Sequence, residues 1–183
     1  MDRFYLSVVR QLKNEVPELS WIDWDTGQLY PDDEEENGNY TVTFPCALIT
    51  IPDVDYSDIG RGVQQGDLLL QIKLGIDSYS TSHIAGGVEA PDLVQSTVDL
   101  QLIKKINKAL HGFGGYIIPG DNEDEFIDNH FSRLMREKVS TEQGVFGLKI
   151  FNLAYSCVIR DHSSEDDLTA AQITDITINQ SQQ

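Results

Sequence analysis

Apolar residues fall on a repeat of four near the start of the chain: Phe4, Val8, Leu12 and Val16, with Arg10, Lys13 and Glu15 off that stripe. This spacing predicts an amphipathic helix over 2–16, stopped by Pro17. LSWIDWD then predicts a short strand that turns at Gly27. YTVTFPCALITI (40–51) is rich in β-branched and aromatic residues and reads as a strand; Pro45 offers no amide hydrogen to a ladder, so the strand lies at an edge or carries a bulge. Over 67–76 the pattern changes to strict alternation. Leu68, Leu70, Ile72, Leu74 and Ile76 share one face, with Gln71 and Lys73 on the other, as in an antiparallel sheet with one wetter side.

Between these strands, PDVDYSDIGRGVQQG (52–66) reads as a loop too long for a simple hairpin. It carries Val54, Tyr56, Ile59 and Val63, apolar side chains that a free loop would expose without benefit, and so predicts a contact with a neighbouring subunit or partner. A second helix begins near Pro91, with Val94, Val98, Leu102, Ile106 and Leu110 as its stripe and Gly112 at its end. FSRLMREKVS (131–140) and GVFGLKIFNLAYSCVIRD (144–161) follow as strands, the second placing Phe151, Leu153, Tyr155, Cys157 and Ile159 on one face. With no βαβα alternation, the order predicts an α+β fold: an antiparallel sheet of about four strands packed against two main helices. Residues 1–161 make the single domain of this reading, and 162–183 a polar C-terminal arm. Within the arm Leu168, Ile173, Ile176 and Ile178 are too few for a core but enough to dock on a neighbour's sheet edge; an unpartnered tail is the other reading.

Composition narrows the function. The 183 residues carry 30 acidic against 13 basic side chains, a net charge of −17. Such a chain repels phosphates and lacks the cationic surface that nucleic-acid or anionic-lipid binding requires. No run approaches the 18 apolar residues of a membrane span, and the N-terminus lacks the basic flank, apolar stretch and cleavage site of a signal peptide, so a reducing cytoplasm is expected. Cys46 and Cys157 sit in apolar strand runs and read as small buried hydrophobes.

No catalytic constellation emerges. Asp23 and Asp25 fit the first positions of a calcium loop, but Gly27 takes the fifth and Asp32, Asp33, Glu34, Glu35 and Glu36 do not restore the register. DNEDE (121–125) lacks the glycine. His83, His111, His130 and His162 are isolated in sequence. GRGVQQG is not spaced as a dinucleotide loop and precedes a strand, and HGFGGY lies at a helix end that exposes carbonyls. Carboxylate pairs such as Asp53 and Asp55 are expected by chance among thirty acids. The chain therefore reads as a non-enzyme without cofactor or metal.

The succession of N-terminal helix, FPCALITI strand, long loop, DLLLQIKLGI strand, the helix LVQSTVDLQLIKKINKALHGFGG and two closing strands resembles the tail-terminator proteins of long-tailed and contractile-tailed bacteriophages and of related injection machines. The resemblance covers about residues 1–160; the insert at 32–36 and the tail from 161 have no match in it. It implies a virion protein, assembled in the bacterial host cytoplasm, that forms a six-membered ring at the head-proximal end of the tail tube. Such a ring stops tube growth, joins tail to head-completion proteins, meets a sheath where one exists, and lets DNA pass without binding it. On that reading Asp32, Asp33, Glu34, Glu35 and Glu36 are a DNA-repelling surface; as a plain loop they are only solvated. The alternative is a cytoplasmic acidic binding or inhibitor protein that mimics nucleic acid.

Overall fold

A computed structural model describes residues 2–30, 42–60, 62–77, 97–114, 131–143 and 148–161. The elements run α1 (Asp2–Glu15), β1 (Trp21–Trp24), β2 (Cys46–Thr50), β3 (Tyr56–Gly60), β4 (Val63–Asp77), α2 (Val98–Leu110), β5 (Met135–Gln143) and β6 (Leu148–Asp161). Strands pair in the order β1-β2-β4-β6-β5, with β3 beside the first residues of β4. The fold is α+β, as the pattern predicts, with six strands among the described residues rather than about four. All pairings are antiparallel except β1 with β2.

The two long central strands hold the molecule together. β4 and β6 pair without interruption from Gln64↔Asp161 to Asp77↔Leu148. Their alternation buries one face: Leu68, Leu70, Ile72, Leu74 and Ile76 meet Phe151, Leu153, Tyr155, Cys157 and Ile159 in one core. The helices cover this face. Phe4, Val8, Leu12 and Val16 enter the core from α1 and its end, and Leu102, Ile106 and Leu110 from α2. Helical spacing of four places each set in one stripe, which is why two such helices can share one sheet face. Phe4 and Phe131 meet edge to face at 4.8 Å, and Gln11 Nε2 donates to Ala109 O across the helix pair at 2.9 Å. α2 ends at Leu110, and Gly112 beyond it has φ +82°; Val94 lies outside the described residues.

Two expectations change. Pro45 makes β2 neither an edge nor a bulged strand: β2 begins one residue later, at Cys46, and sits between β1 and β4. The proline carbonyl still serves, accepting from Ser20 N at 2.8 Å. The stretch 52–66 is not a loop throughout. Its second half folds as the β3–β4 hairpin, turning through Gly60 (φ +98°) and Gly62 (φ +77°), left-handed conformations that glycine adopts without a side-chain clash.

Candidate assembly surface

The sheet face away from the helices is only partly covered. Segment 25–30 and residues 42–44 fold over its β2 end, where Leu29, Val42, Cys46, Leu48, Leu148 and Ile150 form a second small core with Phe44 against it. Gly75 in β4 makes room for this lid. A Cβ there would lie 2.8 Å from Cys46 Sγ, 3.0 Å from Leu29 Cδ2 and 3.2 Å from Phe44 Cε1.

Polar side chains fasten the lid. Asp25, whose side chain is 8% exposed, pairs with Lys73 Nζ at 2.7 Å. Its carboxylate also accepts from Gly27 N at 3.1 Å and Thr50 Oγ1 at 3.3 Å. Burial alone would raise the Asp25 pKa; the bonds from Lys73, Gly27 and Thr50 outweigh it and hold the carboxyl below its usual value. Burial likewise pulls Lys73 down, and the Asp25 carboxylate pushes it above its usual value. The ammonium lies 5.1 Å from the centre of the Tyr30 ring. Tyr30 O–H donates to Glu142 Oε1 at 2.8 Å, and Asn152 Nδ2 to Glu142 Oε2 at 3.1 Å. The cluster satisfies itself, so it holds the fold rather than presenting a reactive group.

Asp23 accepts from the adjacent Trp24 N, and His111 Nδ1 accepts from Arg136 N at 3.2 Å. Among the described residues no three His, Cys, Asp or Glu side chains gather in a metal-binding group. Cys46 and Cys157 are buried, and burial pushes their thiols up to about 11 and about 12. His83, His130, His162 and the DNEDE stretch lie outside the described residues, as do Asp32, Asp33, Glu34, Glu35 and Glu36 and the arm positions Leu168, Ile173, Ile176 and Ile178.

The remaining sequence-derived positions lie on or beside the hairpin. Val54 packs partly against the main core and Val63 is half-buried, while Tyr56 and Ile59 are exposed, Ile59 at 50%. β3 is exposed along its whole length. On the opposite side of the sheet, among the described residues, β5 pairs only with β6 and exposes Met135 and Val139. Sequence reading did not single out β5, because its apolar residues are sparse. Beside its first residue a shallow depression of about 380 Å³ is lined by Leu69, Met135 and Val158, with Asp67 and Arg133 among its polar neighbours.

Among the described residues, strand edges thus lie at both sides of the sheet. No family model matches the sequence, and no curated protein does either. Among solved structures, a chain of the virion of a native gene transfer agent particle is similar: TM-score 0.52, 9% identity, covering 87% of this chain and 96% of that one. At that identity the likeness is one of fold.

Proposed function

We propose that this chain is a structural subunit of a phage-like virion, and within it the tail terminator. The observation that carries the reading is the fold shared almost end to end with a chain of a gene transfer agent virion. The element order that resembles the terminator family supports it independently. One fold hosts many functions, so the surfaces bear on the reading as well: exposed strand edges on opposite sides of the sheet suit a subunit that meets neighbours on both flanks.

In this reading copies of the chain, six by family resemblance, close a ring on the head-proximal end of the tail tube. One rim of the ring meets the tube protein, the other the head-completion protein, and a sheath where the tail is contractile. The subunit performs no catalysis and needs no cofactor. The net charge of −17 keeps DNA from adhering as it passes. Val54, Tyr56, Ile59 and Val63 belong to the subunit contacts, and Asp32, Asp33, Glu34, Glu35 and Glu36 to the DNA-repelling surface.

The test is tube growth. Purified protein added to polymerising tube subunits from the same particle should arrest elongation and appear by electron microscopy as a ring at one end. Tubes that grow to the same length distribution with no ring would overturn the reading. Inhibition of a DNA-binding enzyme by the same protein would favour the nucleic-acid mimic instead.

A further inference from the structure

Two edge strands on opposite sides of the sheet, β3 and β5, differ in charge. Residues 53–60, leading into and forming β3, carry Asp53, Asp55 and Asp58 and no cation, with Arg61 next in sequence. The β5 border carries Arg133, Arg136 and Lys138, all exposed, against Glu137 and Glu142. These three are a concentration of positive charge in a chain with only 13 basic residues, and none makes an ion pair within the described residues. Glu137 is occupied by a hydrogen bond from Ser156 Oγ, and Glu142 by Tyr30 and Asn152. Those neutral donors leave both carboxylates charged, so the β5 border carries three positive and two negative charges, against three negative charges over 53–60.

Apolar groups follow the same division. The hairpin projects Tyr56 and Ile59, and the β5 border offers a recess beside Met135 and Val158. We infer that the β3–β4 hairpin of one copy docks on the β5 border of the next, its aspartates facing Arg133, Arg136 and Lys138 and Ile59 seated in the recess beside Met135. This deepens the ring reading and rests on it for what the assembly does. Because the mating surfaces lie on opposite borders of one sheet, the contact is head-to-tail, the kind that closes into a ring or extends as a filament rather than stopping at a dimer. The β-bulge between Arg136 and Lys138 blunts that edge against indiscriminate strand pairing, leaving selection to the side chains.

Salt alone cannot test this, since it screens both the local attraction and the mutual repulsion of strongly acidic copies. A charge exchange separates them. Asp58 is left in place because its carboxylate accepts from Gly60 N in the turn. Analytical ultracentrifugation should show the wild type as an oligomer and the variants Asp53→Lys/Asp55→Lys and Arg133→Glu/Arg136→Glu/Lys138→Glu each as monomer, with the thermal transition as a check on folding. Combining both sets in one chain should restore the oligomer. Ile59→Cys mixed with Met135→Cys should cross-link under oxidation, the native Cys46 and Cys157 being buried. Wild-type protein that stays monomeric at the highest attainable concentration, folded variants that assemble normally, or a failed cross-link in an assembled mixture would each overturn the inference. Oligomers that form this way yet do not cap tubes would leave the contact standing and remove the terminator role.

Discussion

Asp25 shows how one side chain ties distant segments together. It is nearly buried, it bonds to Lys73, Gly27 and Thr50, and its acidity is strengthened by them. A carboxyl whose folded pKa lies below the unfolded value contributes stability that is full above the unfolded pKa and is lost as pH falls through the folded one. Wild-type protein should therefore lose stability as pH drops below about 4, the ordinary aspartate range, and Asp25→Asn should flatten that part of the curve. At neutral pH the substitution should cost about 1–2 kcal/mol, between the values typical of exposed and of buried pairs; chemical denaturation across pH measures both. Gly75→Ala probes the same lid by crowding. With three side chains inside 3.2 Å of the new methyl, a loss of about 1–3 kcal/mol is expected, and an unchanged denaturation midpoint would mean the lid yields freely. None of this cluster was legible in the sequence. Residues 25, 30, 73, 142 and 152 carry no local signal of their meeting, because the register of β4, β5 and β6 brings them together.

At the scale of elements, periodicity was the reliable guide. The stripes Phe4–Val8–Leu12 and Leu102–Ile106–Leu110 and the alternation over 68–76 mark the residues that are buried, since a helix or strand with one apolar side has one way to hide it. Leu12→Ala should cost about 2–4 kcal/mol through the cavity it leaves. Leu6→Ala, on the same helix at 42% exposure, should stay within about 0.5 kcal/mol. Equal effects would mean that α1 does not pack by this stripe. Elements without such a pattern were harder to read. β3 has no buried side chain to announce it, and its pairing depends on a turn at Gly60 and Gly62. The parallel β1–β2 pair joins segments separated by the lid, and Pro45, which in sequence argues for an edge, stands just outside its strand. Val54 was singled out for assembly, yet it packs partly on its own core as well.

The whole molecule sets the conditions for the arm. β6 ends at Asp161, opposite Gln64 beside the turn of the β3–β4 hairpin, so the chain leaves β6 next to the surface inferred to meet the neighbouring copy. A segment leaving there would reach an adjacent subunit with little chain spent in transit, and Leu168, Ile173, Ile176 and Ile178 would supply apolar side chains for a docked strand. Main-chain hydrogen bonds to an open edge would supply affinity and alternate side chains the fit. On this reading, ordering the arm would cost conformational entropy that an assembled partner would have to offset. Amide hydrogen exchange should therefore slow over residues 168–178 when the protein assembles and remain fast in the free chain. Truncation after Asp161 should preserve the thermal transition of the subunit while weakening assembly. Fast exchange in both states, together with unweakened assembly of the truncated chain, would show that the hairpin contact suffices and that the arm has no partner in the ring.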